Sequence, residues 1–547
     1  MRRQLRRRRR RVEWDMALAL PDIPEAERTP LVLLLLDLLR QQQQYIAQLQ
    51  DEVARLKGLK PRPTIQPSTL ETPPPKPPDP NRKRPGSAKR RKNARLTIHR
   101  EVIVPLPDPP PGATRSGSEE FVVQDLVFEA HNTCYRRERW RLPDGRILLA
   151  PLPRAAPPGH HFGPVLRAFV LHQYHSQRVT QPLLLAQLRQ VGIDISAGQL
   201  NRLLTERLDD FHREKEELLP TGLAVSSYVG VDDTGARHQG QNGSCLLIGN
   251  DLFAYFQSSA SKSRLNFLQV LRRPHTDYVV NEVAVAYWER QGLAQAQVTA
   301  LAAVTASFVD AAAWNAHLKA QGVTGARPVR IATEGALLGS LIAHGVSPEL
   351  VILSDGAAQF DVLVHASCWL HAERPLARMA PYSEEHRRAI EGARKRIWEL
   401  YQDLKAYREL PDPSAVAGLR TRFDALCAWR TGIASVDKVL QEMALHKEDL
   451  LRVLSQPEVP LHNNASERHI REYVTRRKVS GGTQSDPGRR ARDTLASLKK
   501  TCRCLGVNFW GYVRDRIEGR GVIPRLAELL RRRAGGVAAC GVVAVSA

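Results

Sequence analysis

Four consecutive aliphatic residues, Leu350-Val-Ile-Leu353, run directly into Ser354-Asp355-Gly356. A short run with no polar member needs cover on both faces, and helical periodicity over Glu334 to His344 just before it points to a central strand packed by helices. The segment Ala224 to Val231 also reads as a strand and ends in Asp232-Asp233-Thr234. Ser244 to Ile248 and Leu252 to Gln257 read as strands around the turn Gly249-Asn-Asp251, and Ser261 to Arg272 as a helix. From Ser383 to Leu454 the pattern is helical with a polar outside. Three strands followed by a helix open an α/β layer, so the fold class is α/β.

The chain ahead of this core is organised differently. From Leu35 to Leu56 apolar residues recur at intervals of mostly three and four, the seam of a short coiled coil, and the Pro-rich stretch from Pro61 leaves a partner chain to cover it. A homo-oligomer is therefore expected. Residues 61–100 are a Pro-rich and then basic linker. Residues 119–152 alternate apolar and polar around the turn Pro143-Asp-Gly145, which predicts a small β domain. Gln181 to Val191 and a second helix from the N-cap Ser196 to about Leu208, joined at Gly192, outline a helix-turn-helix, with Gln199, Asn201 and Arg202 as candidate DNA contacts. Many helix pairs share that outline without touching DNA.

Charge narrows the partner. Lys and Arg outnumber Asp and Glu by 80 to 57, a net charge of +23 in 547 residues, which favours a polyanion, with nucleic acid first and an anionic membrane surface second. The apolar run Leu31 to Leu39 is too short to span a bilayer and contains Asp37, so no membrane span is expected. Arg-rich residues 2–11 are separated from that run by prolines and acids, unlike a signal peptide, and Met16 is an alternative start. Seven cysteines (134, 245, 368, 427, 502, 504, 540) form no paired framework, as in a reduced cytoplasmic protein. Cys368-x-x-His371 and Cys502-x-Cys504 are zinc half-sites without a second pair, and buried thiols are the simpler reading.

Two strands end in Asp, and a later helix offers Glu467 in the basic stretch Pro460 to Lys478. Strand ends at one edge of an α/β sheet are where ligand sites form. Carboxylates gathered there repel unless cations join them, and such hard oxygen donors suit Mg²⁺ or Mn²⁺. Two ions of this kind support phosphodiester displacement. Each acid also has a plainer role. Asp232 and Asp233 can end a strand, Asp355 can make an Asx turn, and Glu467 can sit at the third position of a capping box opened by Asn464.

The blocks Val231-Asp-Asp-Thr-Gly, Leu353-Ser-Asp-Gly, Ser367-Cys-Trp-Leu-His-Ala-Glu-Arg374 and His462-Asn-Asn-Ala-Ser-Glu-Arg, followed by Arg477-Lys, Gly481-Gly and Ser497-Leu-Lys-Lys-Thr-Cys, resemble the transposases of bacterial insertion sequence family sixty-six, the TnpC-like DDE enzymes. The resemblance implies an RNase H-like catalytic core with a helical insertion, and a triad of Asp232, Asp355 and Glu467 that binds two Mg²⁺ or Mn²⁺ ions. The family usually has Asp-Glu-Thr where this chain has Asp-Asp-Thr. Asp232 and Asp233 face opposite ways along a strand, so alternation does not choose between them, and the family points to Asp232. Arg468, Arg471, Arg476, Arg477 and Lys478 are the expected phosphate contacts. Members often carry a cysteine-paired zinc module after the coiled coil, but residues 101–158 hold only Cys134.

The implied organisation is a basic leader and coiled coil (1–60), the linker (61–100), a small β domain lacking zinc cysteines (101–158) and a helix-turn-helix-like domain (159–220). The RNase H-like core follows (221–382), then the helical insertion (383–455), the last catalytic helix with the rest of the core (456–520) and a tail (521–547). Such a chain binds the ends of its element and cuts and joins DNA strands, with accessory transposition proteins as possible partners. A non-catalytic DNA-binding regulator and a structure-specific nuclease on the same fold are the rival functions.

Overall fold

The computed structural model describes residues 29, 32, 35–39, 41–42, 97–104, 122–153, 161–303 and 306–535. The expected leader, coiled coil and linker lie almost wholly outside the described residues. The turn at Pro143-Asp-Gly145 forms, with Gly145 at φ 83°, and joins β1 (Arg139–Arg141) to β2 (Ile147–Leu149) as an antiparallel pair. Within the segment expected to form a small β domain, this hairpin is the strand pairing among the described residues. Leu126, Val127, Trp140 and Leu148 are exposed among the described residues.

Helices α1 (Pro164–His175), α2 (Gln181–Gln190) and α3 (Ala197–Thr205) follow. Leu184, Leu188, Leu200 and Leu204 are buried at i, i+4 spacing on α2 and α3, so each helix presents one leucine stripe to the core. Ser196 Oγ accepts from Gln199 N–H at 3.2 Å and the Gln199 side chain accepts from Ser196 N–H at 2.8 Å, the reciprocal pair of a capping box. α3 stops at Thr205 rather than Leu208, where Arg207 turns into the left-handed region at φ 57°.

α4 (Asp209–Ala224) continues through Pro220, since burial of Leu218, Leu219 and Leu223 outweighs the cost of an interior proline. The strand expected from Ala224 accordingly starts later. β3 (Tyr228–His238), β4 (Gln241–Gly249) and β5 (Ala254–Ser259) make an antiparallel meander. β3 does not end at its acids but runs past them to a two-residue turn, Gln239-Gly240, both at positive φ, as a type I′ hairpin requires.

After α5 (Arg264–Leu271) come the short strands β6 (Tyr278–Val279) and β7 (Ser307–Phe308), which pair with each other. α6 (Glu282–Arg290) and α7 (Gln295–Ala302) lie between them in the chain, and α8 (Ala311–Ala320) and α9 (Ala326–Ala343) follow. The expected central strand is β8 (Val351–Ser354), followed by β9 (Val364–Ser367). Hydrogen bonding orders the main sheet β5-β4-β3-β8-β9, with β3, β8 and β9 mutually parallel.

The remaining helices are α10 (Trp369–Arg378), α11 (Glu384–Glu409), α12 (Val416–Ala428), α13 (Ala434–Leu445), α14 (Asn464–Ser480), α15 (Asp486–Cys504), α16 (Phe509–Glu518) and α17 (Leu526–Ala534). The segment expected to be a bare tail thus carries α17, whose Leu526 N–H donates to Glu214 of α4 at 2.8 Å. The chain packs as two compact units. Among the described residues, Ser227–Asp232 and Ser347–Asn464 belong to one, and those within Thr64–Ser226, Asp233–Val346 and Ala465–Ala547 belong to the other.

In the first unit, Val351, Leu353, Ala366 and Val459 share a small core beside the strands. The helical insertion has its own larger core, built on Trp369, Ile397, Leu404, Phe423, Val436 and Leu440. In the second unit, Ile470 and Tyr473 of α14 pack on Cys245, Leu247, Ala254 and Phe256 of β4 and β5. α15 covers the edge strand β5. Its Asp493, Ser497 and Thr501 accept from the N–H groups of Ser258, Phe256 and Ala254, at 2.7, 2.9 and 3.2 Å. Four residues of helix rise about 6 Å and two of strand about 6.8 Å, so a row of polar side chains keeps step with alternate strand amides and closes an exposed edge.

Candidate active site

The pairing of β3 with β8 sets Asp232, inside β3, beside Asp355, which follows the end of β8. Tyr228, Val229 and Gly230 lie opposite Val351, Ile352 and Leu353, and the same register carried two residues further puts Asp232 level with Asp355. Neighbouring strands lie about 4.8 Å apart, so both acids leave one sheet edge together. Asp232 is half-buried and Asp355 exposed. Asp355 Oδ1 accepts from Ala357 N–H at 3.1 Å, so the Asx-turn role is real. It engages one oxygen in orienting the carboxylate.

Asp233 faces the other way. Its carboxylate is largely covered and forms an ion pair with Lys262. The position before α14 is held as well: Asn463, 2% exposed, donates from Nδ2 to Val231 O at 2.7 Å, one residue ahead of Asp232. The sequence reading passed over this asparagine, although it stands inside the Asn-Asn-Ala-Ser-Glu-Arg block.

α14 begins at Asn464 itself, which puts Glu467 one residue past the capping-box position. Glu467 lies in the first turn, where an anion is favoured by the helix dipole. Its Oε2 accepts from Arg471 Nη2 at 3.0 Å. One turn on, Glu472 forms ion pairs with Lys499 and Lys500. Burial opposes its ionisation, but hydrogen bonds from both lysines outweigh that and hold its carboxyl down at about 2.

The basic residues separate into two kinds. Arg468, Arg471 and Lys478 are exposed, and Arg477 is half-buried with Nη1 donating to Thr234 Oγ1 at 3.2 Å. Arg476 is corrected. It is 7% exposed, stacks over the Tyr174 ring at 4.2 Å and donates to Tyr174 O, so its cation is used inside the protein. Asn201 and Arg202 are exposed on α3, whereas the Gln199 side chain is occupied by the cap.

The Gly481-Gly482 pair has a backbone explanation. Gly481 sits at φ 66°, and a Cβ on Gly482 would come within 2.3 Å of Arg237 O. Thr483 is thereby drawn against β3, exchanging backbone bonds with Arg237 and Gln239 at 2.9 and 2.8 Å.

Among the described residues no three His, Cys, Asp or Glu side chains form a ready-made metal cage. Mg²⁺ seldom uses one, since it is held by one or two carboxylates together with water and substrate phosphate. The donor set of Asp232 and Asp355 fits that chemistry. None of the described cysteines is in a disulfide, and Cys245, Cys368, Cys427 and Cys502 are buried. A separate cleft of about 480 Å³ in the second unit is bordered by Arg207, Lys215, Arg490, Asp209 and Asp493 among others, a mixture of charges with no strong bias to anions. No helix among the described residues is long and apolar enough to cross a membrane.

A family model described as Transposase IS66 family matches residues 350–491. That segment contains Asp355, the helical insertion and Glu467, and leaves Asp232 outside it. The uncharacterized protein y4jO of Sinorhizobium fredii (strain NBRC 101917 / NGR234) is 40% identical over 322 residues, covering 58% of this chain and 100% of that protein. Taken with the motif blocks and the strand-end acids, these matches lead to one conclusion: the chain belongs to the IS66 transposase family.

Proposed function

We propose that the protein is a DDE-type transposase that binds the ends of its element and uses Asp232, Asp355 and Glu467 to cut and join DNA strands with two Mg²⁺ or Mn²⁺ ions. The observation that carries this is the parallel register of β3 and β8, which, carried two residues past Gly230 and Leu353, sets Asp232 within β3 level with Asp355 just after β8. The mixed sheet, with a meander on one side of β3 and two parallel strands on the other, supports the RNase H-like reading. Held by these carboxylates, such ions would supply activation of a water or a 3′-hydroxyl and stabilisation of the departing oxygen.

The chain's own residues supply the rest. Asp232 and Asp355 offer oxygens from a rigid sheet edge, and the Ala357 amide fixes the turn of Asp355. Glu467 would complete the triad from α14, where its carboxylate is paired with Arg471. Arg468, Arg471, Arg477 and Lys478 hold phosphates, and α2 with α3 forms the helix pair that engages the element end, through Asn201 and Arg202.

The test is a strand-transfer assay with an element-end duplex and a target duplex. Asp232→Asn and Asp355→Asn each abolish cleavage and joining while end binding persists, because an amide keeps the shape and loses the anionic ligand. Asp233→Asn retains chemistry. An inactive Asp233→Asn beside an active Asp232→Asn shifts the assignment by one residue. Retained metal-dependent cleavage with no joining by the wild type identifies a nuclease instead.

A further inference from the structure

Directly behind Asp355 runs a chain of hydrogen bonds that the triad does not include. Ser354 Oγ lies 2.8 Å from His365 Nε2, and His365 Nδ1 lies 3.0 Å from Asp449 Oδ2. Gly356 N–H donates to Ser354 Oγ at 3.0 Å. Asp449 belongs to the short helical turn Lys447–Leu450 at the end of the helical insertion. A carboxylate accepts, so the His365 Nδ1 facing Asp449 carries a hydrogen, and the Ser354 oxygen, which takes the Gly356 amide, is joined to Nε2 on its other side.

A Ser-His-Asp sequence of bonds also invites a nucleophilic reading. Burial removes it, for Ser354 is 0% and His365 6% exposed, and the serine oxygen is bonded on both sides. What the chain holds is the turn: Ser354 and Gly356 flank Asp355, and both are pinned by it. Arg452 adds a second tie from the same region, donating from Nε to His365 O at 3.2 Å.

We propose that Asp449, His365 and Ser354 are positioning residues that fix the Asp355 carboxylate for metal binding and make its placement depend on the docking of the helical insertion against β8 and β9. This rests on the reading of Asp355 as a metal ligand. Groups that hold a ligand in place typically alter metal affinity or activity by about 10–100-fold when removed.

The experiment measures Mn²⁺ binding to the full-length, DNA-free protein by electron paramagnetic resonance, alongside melting temperature and binding to an element-end duplex. Ser354→Ala and Asp449→Ala are expected to raise the Mn²⁺ concentration for half-saturation by about 10–100-fold with end binding kept. His365→Gln retains an acceptor for the Ser354 hydroxyl and loses the Asp449 bond, so its shift is smaller. Should the buried Ser354→Ala chain fail to fold, Asp449→Ala, at the more open end, carries the measurement. Wild-type Mn²⁺ affinity in folded Asp449→Ala, with Asp355→Asn defective, overturns the relay alone. Wild-type Mn²⁺ affinity in Asp355→Asn overturns the site on which the relay rests.

Discussion

Asn463 joins β3 to the chain entering α14 through one buried hydrogen bond, and its replacement separates two physical effects. In Asn463→Ala the Val231 carbonyl loses a donor at 2.7 Å, and a buried acceptor left unmet costs about 1–3 kcal/mol. Asn463 Oδ1, however, has no hydrogen-bond partner among the described residues, so alanine also removes an unsatisfied oxygen. The two oppose, which places the net loss at the lower end, about 1 kcal/mol. Asn463→Asp gains nothing of that kind. It sets a second acceptor against the carbonyl and buries a charge at a 2% exposed position, a loss of several kcal/mol. Urea unfolding monitored in the full chain should rank wild type above alanine and alanine above aspartate, at an unchanged denaturant slope. Because Asp232 follows Val231 directly, strand joining should fall further than DNA binding in both variants. An aspartate variant as stable as the alanine variant refutes the assigned direction of the bond.

Two other outcomes follow from the charges. Glu472, held at about 2 against an ordinary 4.5, has its folded-state pKa depressed, so its stabilisation is fully present above pH 4.5 and is lost as pH falls toward 2. Glu472→Gln should therefore lower the melting temperature at pH 7 and flatten its decline between pH 5 and 3; an unchanged acid profile contradicts the ion-pair account. DNA affinity should fall steeply with salt, and Arg468→Ala and Lys478→Ala should each reduce the slope of log affinity against log salt by about 0.9. Arg476→Ala, buried against Tyr174, should alter stability and leave the slope unchanged.

Local chemistry made part of this molecule readable in advance. The aliphatic run at Leu350, the Asp-Gly turn after it and the N-cap at Ser196 each have a short-range cause, and each appears in the structure within a few residues of its expected place. The strand before Asp232 starts later than the expected Ala224, because the buried leucines of α4 carry that helix through Pro220 to Ala224. The alternating residues near Trp140 have the pattern of strands, but pattern alone does not supply the second layer that a β domain needs. The Asp355 turn was legible as both an Asx turn and a ligand position, and the geometry accommodates both uses.

The supporting bonds were not legible, since they join residues far apart in the chain. His365 with Asp449, Asn463 with Val231 and Asp493 with Ser258 have spacings that no periodicity marks. Arg476 looks like its basic neighbours in sequence, and only packing against Tyr174 distinguishes it.

The most direct test of the central claim is the anomalous scattering of Mn²⁺ in a crystal of the full chain bound to element-end DNA. The account predicts two manganese peaks, with Asp232 and Asp355 both in contact with metal and Glu467 completing the coordination beside the scissile phosphate. Manganese that touches none of these three carboxylates, in a complex that joins strands when Mn²⁺ is added in solution, would contradict it.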